Sequence, residues 1–103
     1  MIDVPEPLEF DWDEGNLHKS YKKHGISPNQ AEQVFTDTSL IILQNVKHSQ
    51  KEERFTAIGK TDDQRILFIV YTIRRNKVRI ISARPAAKSE RRLYEKIKKN
   101  TAL

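Results

Sequence analysis

The side chains able to do chemistry in this sequence are Lys23, His24, Glu53, Arg54, Arg74, Arg79, Arg84 and Tyr94. Together they supply general acids, general bases and cations. That set fits cleavage of RNA without a metal. Such a substrate brings its own nucleophile, the 2′-hydroxyl. The protein has to add a base beside it, an acid for the departing 5′-oxygen, and positive charge against the charge that builds on the phosphorane. Arginine suits the last task, because its planar fork matches phosphate. DNA lacks the hydroxyl, so the same set would not cut it.

Other chemistries find less in the chain. It has no cysteine, which excludes a disulfide, a thiolate metal site and a cysteine nucleophile. His18 and His24 are six apart on one expected helix, poor spacing for shared ligation, and His48 stands alone in a polar stretch. No metal site or cofactor is therefore expected. With three glycines there is no Gly-rich phosphate loop, and Ser82 has no evident His and Asp partners.

Each candidate also has a structural reading. His24 shares a stripe with Leu17 and Tyr21, which suits a buried histidine bonded to backbone. Lys23 suits a solvated helix face. Glu53 and Arg54 could pair across a sheet, Arg84 could pair with Glu90, and Tyr94 could be core with its hydroxyl at the rim. Arg79 and Arg84 are an odd number of residues apart, so a regular strand points them to opposite faces unless Pro85 bends its end.

The elements that must position these groups centre on residues 65–84. Residues 66–73 are almost continuously apolar and rich in β-branched and aromatic types, which suits a strand covered on both faces. Residues 78–83 alternate more, and Arg74, Arg75, Asn76 and Lys77 join the two segments as a hairpin. Upstream, residues 8–12 alternate as a short edge strand. Asp13 caps a first helix that ends at Gly25, with Trp12 and Leu17 as a hydrophobic staple. Ser27 caps a second helix from Pro28 to about residue 35, with Gln30 completing a capping box. Strands follow at 40–43 and 54–59, separated by a polar loop that carries His48. The last helix runs from about residue 86 or 89 to 99, with Ala86, Leu93 and Ile97 as its apolar stripe. Short connections between strands imply antiparallel pairing. The expected class is α+β: one small antiparallel sheet, two N-terminal helices and one C-terminal helix, with the helices on one face.

A chain of 103 residues suits one domain, 1–103, with residues 1–7 as a loose acidic arm. The net charge is +5 and unevenly spread. Residues 1–14 hold six acidic groups and no basic one, while 74–99 hold eleven basic residues against Glu90 and Glu95. Concentrated positive charge attracts nucleic acid without regard to sequence. It equally suits a basic binding module without catalysis, the partner half of a DNA-bound repressor complex. The acidic N-terminus has no apolar signal region and no apolar run is long enough to span a bilayer, so a cytoplasmic location without membrane contact is expected.

Several blocks, in order, resemble one family. They are Phe10-Asp11-Trp12-Asp13, Lys23-His24-Gly25, Val34-Phe35 with Asp37, His48-Ser49, Glu52-Glu53-Arg54-Phe55, Gly59, and Arg79-Ile80-Ile81-Ser82-Ala83-Arg84 followed by Glu90-Arg91 and Tyr94. Over residues 8–98 the chain looks like the BrnT toxins of bacterial type II toxin–antitoxin pairs. Where this chain has Glu14-Gly15, family members often carry a proline. The resemblance implies a RelE-like endoribonuclease that cuts RNA and stops translation. It implies neutralisation by a BrnA-type antitoxin whose ribbon–helix–helix segment carries most of the operator DNA binding. It also implies Lys23, His24, Glu53, Arg54, Arg79 and Arg84 as site residues; within that set the acid–base chemistry of the side chains, not the resemblance, makes Glu53 or His24 the base. Arg74 is added at the RNA from charge and placement alone, and Tyr94, also expected at the RNA, is among the groups that compete for the acid role.

Overall fold

A computed structural model describes residues 4–45 and 53–101. The polar segment with His48, Ser49 and Glu52 lies outside the described residues.

Strands β3 (Ile66–Arg74) and β4 (Lys77–Pro85) are joined by Arg75 and Asn76, which adopt positive φ of 52° and 63°. Two left-handed residues give a turn the twist that a tight hairpin needs. The turn sets Arg74 opposite Lys77 and Thr72 opposite Arg79. Further along, Tyr71 faces Ile80 but Val70 faces Ser82, which leaves Ile81 as an extra residue in β4. Such a bulge resets the alternation of side chains beyond it. Ile80 and Ala83 therefore share one face, and Arg79, Ser82 and Arg84 share the other. The odd spacing of Arg79 and Arg84 does not separate them.

Strands β1 (Ile41–Asn45) and β2 (Arg54–Lys60) complete an antiparallel sheet in the order β1-β2-β3-β4. One face carries Phe55, Ala57, Leu67, Ile69, Tyr71, Val78, Ile80 and Ala83. Helix α2 (Pro28–Val34) and the residues flanking it bury Ile26, Ala31, Val34 and Phe35 against that face. The local sequence starts α2 as expected. The Ser27 hydroxyl accepts the Gln30 N–H at 3.1 Å, and the Gln30 side chain accepts the Ser27 N–H at 3.0 Å. Close approach of α2 requires Gly59, since a Cβ there would lie 2.7 Å from Val34 Cγ1.

The other face is covered at one end by helix α3 (Lys88–Thr101), which buries Tyr94 over Ile41, Ile58, Ile66 and Phe68. Helices thus lie on both faces, not on one. The reason is in β3, which is apolar on both sides: Leu67, Ile69 and Tyr71 point one way, Ile66 and Phe68 the other. The expected stripe through Leu93 and Ile97 is also corrected. Both are exposed, at 37% and 36%, while Tyr94 is fully buried.

Residues before α1 (Lys19–His24) run along the outer edge of β4. The expected edge strand over 8–12 reduces to one parallel bridge at Phe10, made by Asp11 N–H to the Val78 carbonyl and Val78 N–H to the Glu9 carbonyl, each 2.8 Å. Val4 packs on the core and Pro5 is buried, so this part of the acidic arm is anchored. Asp13 caps a turn over residues 14–18, and α1 begins only afterwards.

Candidate active site

The segment leading into α1 is fastened to β4 by Asn16. Its buried side-chain amide donates to the Ile80 and Asp11 carbonyls, both at 3.0 Å. Gly25 then ends α1 at a φ of 68°, with its N–H on the Tyr21 carbonyl at 2.9 Å. This stop places His24 at the helix C-terminus. Lys19 and Lys23 are one turn apart and share a helix face. Together with Ser82, Ala83 and Arg84 these three residues line a cavity of about 280 Å³ between α1 and the edge strand. Lys23 is exposed, and His24 and Ser82 are half-buried. Tyr21, expected on the buried stripe with His24, is 60% exposed.

Arg84 is held on three sides. Its guanidinium carbon sits 4.0 Å from the centroid of the Phe68 ring. Nη1 and Nη2 donate to the two Glu90 carboxylate oxygens, each at 2.8 Å, and Nη1 also reaches the Pro85 carbonyl at 3.2 Å. The structural reading of Arg84 as a partner of Glu90 is therefore real. Glu90 is itself fixed, because its carboxylate also accepts the Ala87 N–H at 2.7 Å at the start of α3. The Arg84 bond holds the Glu90 carboxyl below the usual carboxylate range despite burial, and the same bond raises Arg84.

Arg79 is engaged differently. It gives Nη1 and Nη2 to Asp13 at 3.0 and 2.9 Å, with Asp11 3.6 Å away. The Arg79 bond, then the Gly15 N–H, lower the Asp13 carboxyl. Only 14% of the Arg79 side chain is accessible, against 39% for Arg84. Arg79 thus ties the N-terminal segment to β4.

Arg54 pairs with Thr72, which pairs with Arg79, so the three form one row across β2, β3 and β4. Strand spacing places Arg54 and Arg79 about 10 Å apart, and Arg84 about 13 Å further along the same face. Arg74, opposite Lys77, lies on that face at the hairpin end. Glu53 is exposed at the entry to β2 and takes a hydrogen bond from the Gln44 amide. Of the expected site residues, then, Lys23, His24 and Arg84 meet in the cavity. Glu53 and Arg54 lie across the sheet from it.

Tyr94, expected at the RNA, is corrected. It has no exposed surface, and its hydroxyl donates to Asp37 Oδ2 at 2.6 Å. Burial, then the Asp37 bond, raise its pKa far above the usual tyrosine range. Among the described residues no group of three or more His, Cys, Asp or Glu side chains is placed to hold a metal. None of the described helices is long and apolar enough to cross a membrane.

Lys19 and Ser82 are cavity residues that sequence reasoning passed over. Lys19 was readable as the residue one turn before Lys23. Ser82 was not, because its face depends on the bulge at Ile81.

A family model described as "Ribonuclease toxin, BrnT, of type II toxin-antitoxin system" matches residues 12–90. That span runs from Trp12 to Glu90 and includes every residue of the cavity. A search of curated proteins found no match.

Proposed function

Because this chain belongs to the BrnT family of ribonuclease toxins of type II toxin–antitoxin systems, we propose that the α1–β4 cavity is where it cleaves RNA, without a metal. The observation that carries this reading is the meeting of Lys19, Lys23 and His24 with Ser82 and Arg84 in one cavity. Arg84 and the two lysines hold the scissile phosphate and offset the charge that develops on it. His24 takes the 2′-hydroxyl proton. The 2′-oxygen then bonds to phosphorus as the bond from phosphorus to the 5′-oxygen breaks, and that oxygen takes a proton from solvent water, giving a 2′,3′-cyclic phosphate and a 5′-hydroxyl. Arg54 and Arg74, on the open part of the same sheet face, guide the flanking phosphates.

The family makes an antitoxin the protein partner and RNA the target. In this reading the fold is RelE-like, the toxin acts in the cytoplasm, and cleavage stops translation. A BrnA-type antitoxin neutralises it and supplies most of the operator DNA contact.

The test is purified protein on RNA in excess EDTA. Cleavage should persist, and Arg84→Ala should slow it by about 10²–10³. Loss of all cleavage in EDTA, or equal cleavage by Arg84→Ala, refutes the proposal. A binding-only role has one observation in its favour: carboxylates already occupy one fork of both Arg79 and Arg84. It would be supported if the folded protein, expressed without its partner, neither degrades RNA nor slows growth.

A further inference from the structure

We infer that Glu90 is a positioning residue for cleavage, acting through Arg84; this rests on the proposed ribonuclease site. A guanidinium has five N–H donors and two usable forks: an end fork of Nη1 and Nη2, and a side fork of Nε and Nη2. Glu90 takes the end fork with both carboxylate oxygens, and the Pro85 carbonyl takes the other Nη1 donor. Among the described residues, these bonds leave the side fork of Nε and Nη2 to Arg84. That fork binds one phosphate with two parallel hydrogen bonds.

Three features make this arrangement a device for aiming the fork. The Phe68 ring, 4.0 Å from the guanidinium carbon, fixes the plane in which the group lies. The bidentate bond to Glu90 fixes rotation within that plane. Glu90 cannot swing away easily, because it is tied to the Ala87 N–H and only 19% of its side chain is accessible. Without Glu90, Arg84 would keep its charge but lose its heading. Its attraction to phosphate would persist, while the geometry that favours the transition state would be lost.

A capping residue for α3 would behave otherwise, and Glu90→Gln separates the two roles. Glutamine retains an oxygen for the Ala87 N–H but cannot accept from both Arg84 nitrogens. The expected result is a folded protein whose melting temperature at pH 7 falls by only a few degrees, with KM unchanged or lower and kcat reduced about tenfold. Coupling to Arg84 is read from a double-mutant cycle with Arg84→Lys, which keeps charge but has no fork. The double variant should cleave no more slowly than Arg84→Lys alone. Rate losses that multiply would overturn the inference, as would a Glu90→Gln protein with wild-type kcat.

A second arm does not need turnover. Binding of uncleavable 2′-O-methyl RNA should weaken several-fold in Arg84→Lys and little in Glu90→Gln. Equal weakening in both would make Glu90 a binding determinant and overturn the positioning role. A wild type that binds this RNA but cleaves no unmodified RNA removes the ribonuclease reading, and the positioning role with it. A wild type that cleaves while Glu90→Gln cleaves equally well removes only the positioning role.

Discussion

Replacing Tyr94 with Phe should cost stability and leave catalysis alone. Tyr94 is wholly buried over Ile41, Ile58, Ile66 and Phe68, and its ring contacts survive in phenylalanine. What is lost is chiefly the bond from the hydroxyl to Asp37 Oδ2 at 2.6 Å, with the weaker interaction of the Ser39 side chain with the same hydroxyl. A hydrogen bond to a charged group contributes about 1.5–3 kcal/mol. Asp37 keeps the Lys60 N–H at 2.8 Å and the Ser39 N–H at 3.0 Å, so the low end applies, about 1.5–2 kcal/mol. In a chain of this size that lowers Tm by roughly 6–10 °C. The pH dependence has a definite sign. Burial alone would raise the Asp37 carboxyl, but the Tyr94, Ser39 and Lys60 bonds outweigh it, so the folded value lies below the ordinary 3.8. A carboxyl depressed on folding stabilises above its unfolded value, and that contribution is lost as pH falls through the folded value. Removing the Tyr94 bond moves the folded value back up. The gap between the two proteins should therefore be full at pH 7 and shrink below about pH 4. Urea titrations at pH 7 and pH 3, with RNA cleavage measured on the folded variant, test this. An unchanged urea midpoint at pH 7 would refute the structural role. A hundredfold fall in kcat at unchanged stability would show Tyr94 to be a catalytic acid instead.

His24→Ala should slow cleavage by about 10²–10⁴, the range for a general acid or base, with Tm little altered, as rate assays and thermal melts on one preparation would show. Gly59→Ala should destabilise by roughly 1–3 kcal/mol in chemical denaturation, because its Cβ would meet Val34 Cγ1 at 2.7 Å and the Val34 carbonyl at 3.1 Å. Thermal melts from pH 7 to pH 2 should hold steady to about pH 5 and then decline, since the Glu90 carboxyl, like Asp37, is depressed on folding. The decline should be shallower in Glu90→Gln.

Much of the fold was legible because it rests on neighbours in the chain. Ser27, Pro28 and Gln30 start α2 through bonds that span three residues, and Gly25 ends α1 by its own φ. Alternation in β2 set Phe55 and Ala57 against Arg54, Thr56 and Ile58, and the register keeps that division. The site was legible as residue types more than as a place. Lys23, His24 and Arg84 meet, but Arg79 and Tyr94 had identical claims by type and are occupied elsewhere, by Asp13 and Asp37. Those partners lie 66 and 57 residues away in the chain, beyond the reach of any local pattern.

The sequence by itself determined the strand and helix order, the concentration of positive charge toward the C-terminal half, and the family blocks. Local propensity, capping and composition suffice for these. Tertiary structure decided which arginines share a face and which one fronts the cavity. A regular β4 would have turned Ser82 and Arg84 into the apolar face beside Val78 and Ile80. Burying an arginine there without a partner is costly. The bulge at Ile81 puts Ala83 in that place and turns Ser82 and Arg84 outward. There Phe68 and Glu90, brought by β3 and α3, set the heading of the guanidinium.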